Sequence, residues 1–105
     1  MKGSESLRSK ISYWYSTESS RDLSIENILT TPGASLANLL VVFSLLGPGD
    51  HVIVHYPTYQ QLYSLPTSLG VDVSLWETKQ SDHWKLDLDE LKKLIRPNTK
   101  MIIIK

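Results

Sequence analysis

The residues best suited to chemistry lie in the stretch Thr30-Thr31-Pro32-Gly33-Ala34-Ser35. Gly33, Ala34 and Ser35 stand where a helix begins. Small residues there let an anion approach the first-turn N–H groups, and the helix dipole favours its negative charge. A phosphate suits such a turn, with the Ser35 hydroxyl as a further donor. The same residues also make an ordinary turn in which Ser35 caps its own helix, and on the motif alone this plainer role prevails. The lysine and spacing of a P-loop are missing, as are the second and third glycines of a dinucleotide fingerprint, so neither of those nucleotide sites is expected.

A second candidate is Tyr59, which follows Pro57-Thr58 at the carboxyl end of an expected strand. Ligands of α/β proteins bind at that edge, and a tyrosine ring there is placed to stack on a planar heterocycle. Taken singly, a packed aromatic is the commoner role, and Tyr56 and Tyr63 carry that reading with greater force. His51 and His55 share one face of their strand but lie about 13 Å apart at ~3.3 Å per residue, too far to hold one metal. His83 has no partner at ligand spacing, so no metal site is expected. Asp87, Asp89 and Glu90 have the form of acid/base carboxylates, yet a capped first helical turn accounts for them. Asp50 is expected to stabilise its own turn. No lysine sits in an apolar stretch that would depress its pKa for Schiff-base chemistry, and no catalytic residue is assigned.

The elements that must position these residues are legible from periodicity. Residues 4–16 read as a helix with Leu7, Ile11, Trp14 and Tyr15 on one face and Ser4 as its cap. Residues 25–30 read as a short strand stopped by Pro32 and Gly33. Residues 35–46 are apolar on nearly every side, which predicts a helix buried against a sheet, closed by Gly47 as a left-handed cap. Val52, Ile53 and Val54 mark a parallel strand covered on both faces. A helix is predicted over 59–69, interrupted by Pro66 and ended by Gly70. Residues 71–76 alternate as a strand, 80–83 are loop, and Asp87 with Glu90 forms a capping box for a helix bearing Leu88, Leu91 and Ile95. Residues 101–104 are the most hydrophobic strand. Strands alternating with helices from 25 to 104 predict an α/β fold: a partial three-layer, mostly parallel sheet with flanking helices, in one partial domain over 1–105.

Bulk composition narrows the function classes. Eleven basic and eleven acidic residues are scattered along 105, so no field draws the chain to nucleic acid or anionic lipid. Without cysteine there is no disulfide framework or thiol chemistry, which fits a reducing, cytoplasmic setting. The N-terminus lacks the apolar core of a signal peptide, and the run 39–46 is too short to span a bilayer. A soluble protein is expected.

Several of these pieces, in order and spacing, resemble the class I/II aminotransferases, the fold type I enzymes that use pyridoxal 5′-phosphate. Gly3, Leu7, Arg8 and Ile11 resemble a Gly-x-x-x-Leu-Arg-x-x-Ile helix, and Thr31-Pro32-Gly33-Ala34-Ser35 resembles the Thr-x-Gly-Ala-Ser cofactor turn. Pro48-Gly49-Asp50 with Val52 resembles the Pro-Gly-Asp-x-Val strand entry, and Pro57-Thr58-Tyr59 the Pro-x-Tyr turn. Leu86-Asp87-Leu88-Asp89-Glu90-Leu91, then Thr99 to Ile104, resembles the segment leading to the family's Asn-Pro loop. The resemblance implies that Gly33, Ala34 and Ser35 hold the cofactor phosphate and that Tyr59 stacks on the pyridine ring. It implies amino acid and 2-oxo acid substrates and a homodimeric full-length form. The Schiff-base lysine, the aspartate at the pyridine nitrogen and the substrate-binding arginine are expected beyond Lys105, so the chain is expected to be an internal piece of a longer enzyme, inactive alone. In the family's sheet the second and third strands pair, while the first and fourth are expected to need strands from beyond residue 105. Two other readings remain: a stand-alone α/β module that holds a phosphorylated ligand without chemistry, and a truncated product without function.

Overall fold

The computed structural model describes residues 2–105, which form two compact units, 2–37 and 38–105. In the first unit, the Ser4 hydroxyl accepts from the Leu7 N–H at 3.4 Å and α1 runs over Glu5–Ser19. Its buried residues are Arg8 and Ser12, one turn apart, whereas Leu7, Trp14 and Tyr15 are exposed and Ile11 is half-buried. The expected apolar face is therefore not the one that packs. The reason is what α1 meets: an irregular segment that presents carbonyls. Arg8 donates through Nε to Ile28 O and through Nη2 to Ile25 O, both at 2.8 Å, and the Ser12 hydroxyl donates to Leu23 O. Buried carbonyls need donors, and a leucine supplies none.

The strand expected over 25–30 is also absent. Ser24 opens a 3₁₀ turn over Ile25–Asn27 with both halves of a capping box: Glu26 N–H donates to Ser24 Oγ at 3.2 Å, and Ser24 N–H to Asn27 Oδ1 at 3.0 Å. Serine and asparagine thus give the backbone local partners that compete with a ladder. Residue 28 is extended, and Thr30 N–H donates to Lys2 O at 3.0 Å. Gly3 sits against this pairing at φ +97°, where a Cβ would stand 1.7 Å from Thr30 Oγ1.

Helix α2, Ala34–Leu45, is apolar but for Ser35, Asn38 and Ser44, yet Val42 is its only buried residue; Leu39, Leu40, Val41, Phe43 and Leu45 are exposed. The expected all-round burial gives way to a single packed stripe, since one sheet face covers only one side of a helix. Gly47 does not adopt a left-handed conformation. The left-handed glycine is Gly49, at φ +91°, in a turn where Asp50 N–H donates to Gly47 O at 3.0 Å and Gly47 N–H donates to Asp50 Oδ2 at 2.9 Å. Asp50 holds its own turn, as its position suggests.

The second unit is built on a three-stranded parallel sheet of order β2-β1-β3: β1 His51–Tyr56, β2 Asp72–Glu77 and β3 Thr99–Ile103. His51, Val52, Ile53 and Val54 are all fully buried, the signature of a central strand covered on both faces. β1 pairs with both neighbours, so the expectation that the strand over 101–104 needs a partner from beyond residue 105 is corrected on its β1 side. Helix α3, Gln61–Ser68, follows β1, and Val52 and Val54 pack with Val42, Leu46, Leu62 and Val71 on one face. Pro66 lies buried inside α3 without ending it, and the helix stops before Gly70 at φ +75°. The expected loop at 80–83 includes a 3₁₀ turn over Gln80–Asp82. Helix α4, Leu88–Leu94, crosses the other face, where the buried Trp76 donates through Nε1 to Asp87 O at 3.0 Å. Its half-buried residues are Leu91 and Leu94, while Leu88 and Ile95 stay exposed.

Candidate functional site

In the first unit, Gly33 takes a left-handed conformation at φ +99°, with no atom within 4 Å of where a Cβ would stand. Thr31 braces the turn: its hydroxyl donates to Gly33 O at 2.9 Å, and Gly33 N–H donates to Thr31 O at 2.8 Å. The helix begins at once, with Ala37 N–H returning to Gly33 O at 3.4 Å. Gly33, Ala34 and Ser35 are all exposed at the start of a twelve-residue helix. Opening N–H groups point along a helix axis without intrahelical acceptors, and the dipole gives that end positive character. The arrangement can hold an anion.

In the second unit, Tyr59 follows the carboxyl end of β1 after a cis Tyr56–Pro57 peptide. Tyr59 O accepts from Leu62 N–H at 3.0 Å, which ties the turn to α3, and the side chain is half-exposed. The Lys105 Nζ lies 5.6 Å from its ring centroid, so one face of the phenol already meets a cation. Next to it in sequence, the Thr58 hydroxyl oxygen is buried without a hydrogen-bond partner. Tyr56 and Tyr63 contact one another edge to face at 5.9 Å, the packed role expected for them. His55 Nδ1 lies 3.0 Å from Lys105 O and Nε2 lies 3.2 Å from Thr78 Oγ1.

Sequence reasoning placed Gly33, Ala34, Ser35 and Tyr59 at a helix start and at the carboxyl end of a central parallel strand, and both positions are as expected. It missed Lys105 beside Tyr59 and the partners of His55, because neighbours across a sheet follow strand order, which the sequence does not print. It also missed the partners of His51 at the opposite, amino end of the sheet. His51 is fully buried, with Nδ1 2.7 Å from Thr99 Oγ1 and Nε2 2.8 Å from Ser74 Oγ. Burial and the nearby Arg96 charge push this imidazole below its ordinary pKa, against a smaller opposing effect of Asp72.

The acidic residues serve the fold. Asp87 Oδ1 accepts from Asp89 and Glu90 N–H at 2.8 and 3.3 Å, the expected cap. Glu90 does not reach back as the second half of a box; it pairs with Lys93 at 2.7 Å and holds that ammonium above its usual pKa. Among the described residues no group of histidines and carboxylates is placed to share a metal, and no helix is long and apolar enough to cross a membrane.

Three comparisons bear on this geometry. The family profile for aminotransferase class I and II matches residues 1–105. A PLP-dependent aminotransferase from Streptococcus suis superposes with a TM-score of 0.85 at 50% identity, over 96% of this chain and 26% of that one. An aspartate aminotransferase from Sulfurisphaera tokodaii is 34% identical over 97% of this chain and 26% of its own length. A tyrosine aminotransferase from Bos taurus is 29% identical over 89% of this chain and 20% of its own. The chain thus spans about a quarter of the length of the relatives it matches. With the profile covering every residue and the fold shared at half-identical sequence, the chain belongs to the class I and II aminotransferases.

Proposed function

We propose that this chain is the cofactor-seating part of a pyridoxal phosphate-dependent aminotransferase, which moves an amino group between an amino acid and a 2-oxo acid. The observation that carries the reading is the coincidence of the family match over 1–105 with an open, left-handed Gly33 at a helix start. The residues present suit the cofactor. The space beside Gly33 admits an anion where any side chain would intrude, and Ala34 and Ser35 add two further short residues at the same helix end. A half-exposed phenol offers area for a flat ring. In this reading Gly33, Ala34 and Ser35 bind the phosphate, and Tyr59 covers the pyridine.

When bound, the cofactor supplies an electron sink for chemistry at the substrate α-carbon. The residues of this chain bind and orient it, and no proton transfer is assigned to them. The homodimer and the cytoplasmic setting implied by resemblance and composition belong to the same proposal, as does a role in amino acid metabolism. The relatives are named for different amino acids, aspartate and tyrosine, so the substrate is left at its class.

The test is cofactor titration of the full-length protein carrying Tyr59→Ala. Loss of a stacked ring costs about 0.5–1.5 kcal/mol, so affinity should fall roughly two- to twelvefold. Unchanged affinity would remove Tyr59 from the site.

A further inference from the structure

The fully buried His51 takes no part in the proposed site, yet both of its ring nitrogens are engaged. It opens the central strand, and its two ring nitrogens meet hydroxyls from the two flanking strands: Ser74 on β2 and Thr99 on β3. One arrangement of protons joins all of these groups. Thr99 Oγ1 accepts the Arg96 backbone N–H at 2.7 Å and has its own hydrogen to donate to Nδ1. Nε2 then carries the ring proton and donates it to Ser74 Oγ, which also lies 3.4 Å from Arg96 Nη2. Every group is satisfied with a neutral ring. In this arrangement a second proton on Nδ1 requires the Thr99 hydroxyl to rotate and buries a cation beside Arg96.

From this geometry we infer that His51 is an acid-operated latch: neutral, it ties β2 and β3 to β1, and a proton taken up at Nδ1 releases the amino end of the sheet. The charged groups around it are few. From β2 comes Asp72, paired with Arg96, and Arg96 itself precedes β3; the adjacent Asp50 pairs with Lys100 at 3.6 Å. Asp72 favours the proton but is half committed to the guanidinium, and Arg96 opposes it. The sign follows from linkage. A base harder to protonate when folded stabilises nothing extra above its unfolded pKa of about 6.5, and below that value the unfolded chain takes up the proton first, so stability falls as pH falls.

The experiment is denaturant unfolding of the full-length protein between pH 7.5 and 5, with His51→Gln alongside, and ¹⁵N observation of the ring. The folding constant should drop by up to about tenfold per pH unit below roughly 6.5. His51→Gln should flatten that slope, even if it is less stable throughout, while His55→Gln and His83→Gln should keep it. The ring should be the Nε2–H tautomer at neutral pH. An unchanged acid slope in His51→Gln would overturn the latch. Should that variant fail to fold, a ring of the wild-type protein found charged, or protonated at Nδ1, near pH 7 would overturn it equally.

Discussion

Arg8 shows how far one side chain governs a unit. Its guanidinium is buried and donates to Ile28 O and to Ile25 O, the latter also accepting the Ile28 N–H at 3.2 Å, with Glu26 at 3.6 Å from the guanidinium. Glu26 itself is held below its usual pKa chiefly by Lys2 at 2.5 Å. Arg8→Lys keeps the charge but loses the planar fork, so it gives up one of the two buried charge-assisted hydrogen bonds; a loss of about 1–3 kcal/mol in unfolding free energy is expected. Two of the glycines at positive φ separate structure from binding. At Gly3 a Cβ meets Thr30, whereas at Gly33 it meets empty space, and both are left-handed. Gly3→Ala should therefore cost more stability than Gly33→Ala, whose cost is backbone strain alone, about 1–2 kcal/mol. Cofactor titration should rank the pair the other way, and equal cofactor affinity in both variants would count against the phosphate seat.

Among the elements, the three strands of the sheet and the Ser4 and Asp87 caps were legible. Three β-branched residues in a row announced β1, and Asp87 announced α4; Asp87→Ala should lower stability by about 0.5–2 kcal/mol, read by thermal or denaturant unfolding. The failures have two physical causes. Periodicity reports which faces are apolar, and burial is decided by what lies opposite. α1 shows apolar residues at helical spacing, yet it packs through Arg8 and Ser12 because its neighbour is bare backbone. The segment at 25–30 is apolar enough for a strand, but Ser24 and Asn27 closed its hydrogen bonds locally. The site residues were legible as positions; Lys105 and the partners of the two strand histidines were not, because strand order brings together residues about 23 to 50 apart in sequence.

At the scale of the whole chain, one strand has two neighbours and two strands have one each. Ile102 and Ile104 near the outer edge are exposed, as is most of α2. Unpaired apolar edges promote association. For the 105-residue chain on its own, hydrogen exchange should be slowest in β1 and faster on the outer amides of β2 and β3, with limited solubility. Uniformly slow exchange across all three strands of a monomer would contradict this.

The ladder between β1 and β3 contains a slip: His51 faces Thr99, but Val52 faces Met101, so Lys100 is counted without being matched. That extra residue lets Thr99 share a side with His51 while Met101 and Ile103 turn to the side of Leu62 and α3 with Val52 and Val54. The identity of residue 100 is thus nearly immaterial to the sheet, and its presence is indispensable. Homologous genes should accept most codons there and tolerate no deletion, because losing one residue forces a choice between the histidine's hydroxyl and the hydrophobic interior.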